Sequence, residues 1–255
     1  AVCAIDQEAK DRRPHTKKAV RMKRSKLYIA VAAATAAAVV GVVVPGFVSN
    51  QATTDGSCLT ITDRDGMCRF DGAPLEMAGS PIFVEKFQHA FFPTSKELTF
   101  TDSRGMVWTA PVQTLTDGAS IPAIFEPIIG DRQSRDYLLA AALHDAFCGV
   151  GNEGLATFQT RSWEDVHRMF FDALIVAGTA PQKAKIMFAA VYLGGPRWDD
   201  PERVLENVPT DDLLRELEWC AEWIAANDPS MAEIEAWMSR REDALKTGTS
   251  VAPAL

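Results

Sequence analysis

The spacing of apolar positions changes twice along this chain. From Leu27 to Val44, LYIAVAAATAAAVVGVVV, no residue is charged and Thr35 is nearly the only polar one. Eighteen residues at about 1.5 Å per residue span about 27 Å, close to the hydrocarbon thickness of a bilayer. Pro45-Gly46-Phe47 extends the run and ends it. Between residues 58 and 114 the apolar stretches become short. CLTIT, MCRF, SPIFVEKF, ELTFTD and MVWTAPVQTL are rich in β-branched and aromatic residues and are separated by turn signals. They predict a small antiparallel sheet, with Asp102-Ser103-Arg104-Gly105 as a hairpin turn.

From Ser134 onward the period becomes helical. RDYLLAAALHDAFC predicts a helix that stops at Gly149-Val150-Gly151. A polar loop over 149–161 leads to Ser162, an N-cap for EDVHRMFFDALIVAG, which closes at Gly178. Pro181 opens the next helix, QKAKIMFAAVYLGG. After a proline-bearing loop come two acidic amphipathic helices, TDDLLRELEWCAEWIAAN and SMAEIEAWMSRREDALK. The pair either folds back as a hairpin on the body or presents its apolar stripe to a protein partner. The expected class is α+β: a small antiparallel sheet, then an α-helical half, preceded by a transmembrane or signal helix. The expected organisation is a basic flank over 1–26, a membrane or signal segment over 27–48 and a linker over 49–57. A core over 58–198, a helical hairpin over 199–246 and a loose tail over 247–255 follow.

Charge sharpens the membrane reading. Residues 1–52 hold nine Lys or Arg against three acidic residues, whereas the remaining 203 hold 17 against 31. A body that acidic is a poor nucleic-acid binder, because phosphate contacts need clustered Lys and Arg. The positive flank lies N-terminal to the apolar run, so that side is expected in the cytoplasm and the body outside it. An uncleaved inner-membrane anchor and a cleaved secretory signal both fit. Met22, before Lys23-Arg24-Ser25-Lys26, has the context of a natural start. Cys58 and Cys68 bracket a short turn and suit a disulfide in an oxidising compartment. Cys148 and Cys220 read as buried apolar fillers.

The chemistry concentrates in three places. His144-Asp145 interrupts an apolar helix, where an ionised carboxylate must be paired or hold a cation. His144 shares a helix face with Ala140, Ala141, Phe147 and Cys148. Thr116-Asp117-Gly118-Ala119-Ser120-Ile121-Pro122 is a turn able to aim backbone oxygens at a metal, with Asp145 supplying charge. Glu164, His167, Phe170 and Phe171 line one side of the following helix, from which His167 can meet His144 or Asp145. Each feature also has a plain structural reading, as a satisfied core histidine, a capped turn and an interhelical contact.

TDGASIP, LHDAF, the acidic helix start before RMFFDAL and the close AVYLGGPRW together resemble a phage and bacterial family known as domain of unknown function 1353, over roughly residues 70–198. That resemblance implies a fold region and no activity. The same residues also resemble bacterial secreted phospholipases A2, which combine an Asp-Gly-x-Ser turn with a His-Asp pair on one helix. On that likeness Asp117, Gly118 and Ser120 match the turn, Asp145 is a calcium ligand and His144 activates water. The position that orients the base falls on His167 rather than on an acid. The expected function is therefore a membrane-tethered, metal-assisted hydrolase. Its catalytic residues are His144 and His167, its calcium is held by Asp145, Asp117, Gly118 and Ser120, and its substrate is lipid or cell-envelope material. The alternative is a non-catalytic envelope or phage-associated protein in which these residues form a buried packing network.

Overall fold

A computed structural model describes residues 56–61, 66–84, 87, 90–118, 125–129 and 136–253. The basic flank, the apolar 27–48 segment and Ser120 lie outside the described residues. Among the described residues no helix is long and apolar enough to cross a membrane.

Among the described residues the β half forms two small antiparallel sheets, not the single sheet expected. One has the order β1 (Arg69–Asp71), β3 (Leu98–Thr101), β4 (Val107–Ala110); the other pairs β2 (Phe92–Pro93) with β5 (Leu115–Thr116). The hairpin predicted between β3 and β4 is present, with Phe100 opposite Trp108. Buried Asp102 builds its turn: the carboxylate accepts the backbone N–H groups of Arg104 and Met106 and the indole N–H of Trp108, at 2.9, 2.9 and 3.0 Å. The stretch MVWTAPVQTL does not run through as one strand. Pro111 has no N–H for a ladder and Gln113 sits at φ 72°, so β4 and β5 part into different sheets. Nor is CLTIT a strand. Thr60 and Ile61 both donate to the Ser57 carbonyl, each at 3.1 Å, which makes a turn. Among its described residues SPIFVEKF contributes an isolated bridge, Ile82 to Phe91. Cys58 and Cys68 form the expected disulfide, with Cα atoms 5.5 Å apart.

The helices are α1 (Glu126–Ile129), α2 (Leu138–Cys148), α3 (Trp163–Ala177), α4 (Pro181–Gly194), α5 (Thr210–Asn227) and α6 (Met231–Thr247). Local chemistry sets their ends. Ser162 accepts the Asp165 N–H to start α3, and Gly178 ends it in the left-handed region at φ 98°. Ser230 and Glu233 form a capping box at α6. α2 is the central element, buried on every side from Ala140 to Cys148. Its alanines let neighbours approach: Trp108 of β4 meets Phe147 edge-on at 5.1 Å, and α3 covers another face.

α5 and α6 fold back against α4, and Leu213, Leu217, Cys220 and Ile224 are buried there. Trp223 stacks on Trp237, with ring centroids 5.8 Å apart. The segment beyond α6, expected to be loose, is tied to the body: Ser250 Oγ donates to Glu216 at 2.7 Å, and the Val251 carbonyl accepts from Arg241 at 2.6 Å.

Candidate functional site

His144 and Asp145 lie in the middle of α2, and both are fully buried. His167 projects from the second turn of α3 and is also fully buried. The α2–α3 packing brings the two imidazoles together, with ring centroids 5.2 Å apart and planes inclined by 32°. Phe170, one turn beyond His167, also packs against the His144 ring, with centroids 4.9 Å apart. Trp163, one turn before, meets His167 edge-on at 5.5 Å. Aromatic walls thus surround both histidines.

Burial in such walls disfavours the charged imidazolium. It pushes His144 down to about 3. His167 falls well below its ordinary value, first through burial and then through the charges of His144 and Arg197. Both rings are therefore neutral bases at physiological pH, the state in which imidazole binds a metal or takes up a proton. Neither ring nitrogen of His167 has a hydrogen-bond partner among the described residues.

A third group joins them. Cys148 follows His144 by one helical turn, and its Sγ lies 3.5 Å from His144 Nε2 and 3.7 Å from Nδ1. One ligand atom each from His144, Cys148 and His167 all lie within 4.8 Å of one another. Cys148 is buried as expected.

The Asp117–Gly118 turn reaches this region through a residue that the sequence reading passed over. Asn152, 1% exposed, follows α2 in the loop. Its Oδ1 accepts the Leu115 N–H at 2.8 Å, and its Nδ2 donates to the carbonyls of Leu115 at 2.8 Å and of Asp145 at 3.0 Å. One amide thus straps β5, which leads into Asp117, to the turn of α2 that carries Asp145. Asp117 is itself buried, and Gly118 adopts φ 110°, a conformation that favours glycine. A polar side chain three residues beyond a helix-ending glycine was the only sequence signal for Asn152.

The acidic residues at the start of α3 are engaged elsewhere. Asp165 pairs with Arg104 at 2.6 Å, and Glu164 pairs with Arg203 at 2.7 Å. Arg203 also binds Glu242 at 2.8 Å and the Tyr192 hydroxyl at 2.9 Å, which locks the loop after α4 onto α6. Asp172, further along α3, accepts the Cys58 N–H at 2.7 Å and the Ser103 N–H at 3.0 Å. It anchors the disulfide segment and the β3–β4 turn to the helices.

The segment from the end of β2 through most of α4 carries Asp117, Gly118, His144, Asp145, Cys148, Asn152 and His167. Residues 93–191 match the family described as protein of unknown function, DUF1353. The match is narrower than the 70–198 span of the sequence resemblance, and α5 and α6 lie beyond it. Uncharacterized protein y4iH of Sinorhizobium fredii (strain NBRC 101917 / NGR234) is 37% identical over 99 residues, which are 39% of this chain and 38% of that protein. Uncharacterized protein y4jT of the same strain is 33% identical over 126 residues, which are 49% of this chain and 35% of that protein. The chain spans less than two-fifths of the length of either relative. No solved structure matches it. Residues 93–191 are thus similar to a family and to relatives whose names state no activity.

Proposed function

We propose that the DUF1353 segment binds a transition-metal ion of the zinc class between His144 and His167, and that the bound ion activates water for hydrolysis. The observation that carries this reading is His167, a fully buried imidazole whose two nitrogens have no hydrogen-bond partner among the described residues. A buried polar group left unsatisfied costs about 1–3 kcal/mol, and coordination removes that penalty at one nitrogen. The neighbouring nitrogen of His144 is a donor type that zinc prefers, whereas calcium takes oxygen ligands. The expected calcium site on Asp117, Gly118, Ser120 and Asp145 is the competing reading, favoured by the buried carboxylates of Asp117 and Asp145, whose segments Asn152 ties together through the backbone of Leu115 and Asp145.

A zinc-class ion lowers the pKa of a bound water to about 7 and so makes hydroxide available at neutral pH. The substrate class comes from the sequence. A basic flank and an apolar run before an acidic body suit a membrane-tethered enzyme whose body lies outside the cytoplasm and acts on lipid or envelope material.

The test is thermal unfolding of the full chain with zinc, with calcium and with a chelator. A site filled at 100 times its dissociation constant adds about 2.7 kcal/mol, a shift of a few degrees. The expected result is a zinc-dependent rise that disappears in His167→Gln, after which ester hydrolysis is assayed with and without zinc. A calcium-dependent rise lost in Asp145→Asn and retained in His167→Gln would transfer the metal to the oxygen site. No rise with either ion would leave His144, Asp145 and His167 as the packing network of a non-catalytic envelope or phage-associated protein.

A further inference from the structure

We propose that segment 77–84 is the surface through which the body rests on a lipid bilayer, beside the loop that straps the candidate site. This inference rests on the membrane reading given above and adds the surface that makes the contact.

The segment forms the outer edge of the β2–β5 sheet. Met77 bridges to Thr94 and Ile82 to Phe91. The Ile82 and Phe91 N–H groups each donate to the other residue's carbonyl at 2.8 Å. Six large apolar side chains are exposed among the described residues, and three of them fall here: Met77, Ile82 and Phe83, at 41%, 42% and 71% exposure. The stretch MAGSPIFV, residues 77–84, carries no charged residue. Single exposed apolar residues are ordinary on a surface, whereas a contiguous uncharged group marks a contact site.

Pro81 decides against a strand as the occupant. Ile82 turns its N–H and carbonyl toward Phe91, so the amide of residue 81 falls on the open side of the edge. Proline has no N–H to offer there. A strand added by a peptide or by a second copy of this chain would meet a missing ladder position.

Charge and chain length favour a bilayer. Residues 53–255 hold 17 Lys or Arg against 31 acidic residues. Coulomb attraction therefore does not draw this body to anionic headgroups, and apolar burial is the attraction that remains. Seven residues, 49–55, separate the apolar segment from Gly56, the first described residue. Fully extended, they reach about 25 Å. With the apolar segment in a bilayer, that tether keeps the body within reach of the headgroups, where an uncharged apolar edge outcompetes the acidic faces.

The surface adjoins the candidate site. A Cβ at Gly151 would lie 2.9 Å from Leu115 Cδ1 and 3.7 Å from Val84 Cγ2, so Gly151 stands between β5 and the edge segment. The next residue is Asn152, which ties Leu115 to Asp145. Docking through Ile82 and Phe83 sets the bilayer beside the end of α2 that carries His144 and Asp145.

The test places a polarity-sensitive fluorophore on the full chain at Phe83→Cys, and at Glu218→Cys on the exposed face of α5 as the comparison. The unsubstituted chain, carried through the same labelling, gives the background from the native cysteines. If Phe83→Cys does not fold, Ile82→Cys carries the label instead. Each labelled chain is combined with vesicles of phosphatidylcholine, alone or mixed with phosphatidylglycerol. Flotation reads binding, and quenching reads contact. The chain is expected to float with the vesicles. The label at position 83 should shift to apolar emission, lose its quenching by aqueous iodide and be quenched by lipid-borne nitroxides about 5–10 Å below the surface. Phosphatidylglycerol should not deepen it. The label at position 218 should stay aqueous.

The outcomes separate the docking surface from the readings beneath it. A chain that floats while position 83 stays as aqueous as position 218 would overturn the docking surface and leave the tether standing. A chain that does not float would overturn both. A label at position 83 already shielded from iodide without vesicles would also overturn the proposal. Concentration-dependent shielding would assign the edge to a second copy, and concentration-independent shielding to another part of the same chain. The zinc-dependent unfolding is measured without vesicles, so its result is independent of all of these.

Discussion

Gly195 lies against the imidazole of His167. A Cβ at Gly195 would meet the Val191 carbonyl oxygen first and would also come within 2.8 Å of His167 Cε1 and 2.9 Å of Nε2. Its backbone is extended at φ −80°, so any residue fits the conformation and only the space is lacking. The turn that ends α4 therefore fixes where the His167 ring stands.

Gly195→Ala is predicted to push that ring off its position or to move the end of α4. Overpacking of this kind costs about 1–3 kcal/mol. Urea unfolding of the variant should show the loss, and the zinc-dependent stabilisation expected of the wild type should shrink with it. A variant as stable as wild type, with undiminished zinc response, would show that the ring is not held by this contact.

The histidine pair should make the fold acid-labile. His144 has a folded pKa of about 3, and His167 is shifted the same way, against about 6.5 in an unfolded chain. The unfolded state then binds protons first as pH falls. Their contribution is complete above about pH 6.5 and is lost progressively as pH drops toward the folded values, at up to about 1.4 kcal/mol per pH unit for each histidine. Urea midpoints measured from about pH 7 down to about pH 4.5 should fall steeply in the wild type and less steeply in a His144→Gln, His167→Gln double variant. Parallel profiles would mean that other groups govern the acid response.

Asn152→Ala should loosen the Asp117 turn from α2. It strands the Leu115 N–H and removes a donor from the carbonyls of Leu115 and Asp145. A stranded buried backbone group costs about 1–3 kcal/mol. Amide exchange should accelerate at Leu115 and Thr116 more than in α5 and α6. Uniform acceleration across the chain would mean that Asn152 supports global stability without local strapping.

Asp172→Ala should release both segments that the carboxylate holds. The N–H groups of Cys58 and Ser103 lose their acceptor, at about 1–3 kcal/mol each. Burial raises the Asp172 carboxyl above its usual range, while the backbone N–H bonds oppose that shift. Its charge therefore costs stability as pH rises through the carboxylate range. Asp172→Asn removes that charge and keeps one acceptor, so it should be milder than Asp172→Ala. Equal losses in the two variants would assign the effect to packing rather than to the hydrogen bonds.

Much of the helical half was legible because its signals are local. Ser162, Gly178, Pro181, Ser230 and Gly248 act on backbone groups within four residues, so the sequence alone determined where α3, α4 and α6 start or stop. The same holds for the Asp102–Gly105 turn and for the Cys58–Cys68 pair, ten residues apart. His144-Asp145 stood out as a polar pair in an apolar helix by inspection.

What the sequence left open depends on contacts between distant residues. Strand pairing divided MVWTAPVQTL between two sheets, because β5 meets β2 and not β3. Asp172 finds Cys58 at a separation of 114 residues and Ser103 at 69, and Asn152 finds Leu115 at 37. No periodicity encodes those partners. The α2–α3 packing selected His167 as the neighbour of His144 and turned Asp165 outward to Arg104. The sequence supplied the imidazoles, the carboxylates and the sulfur. Only tertiary packing, which removes water from all of them at once, decided that the two histidines and Cys148 share one buried place.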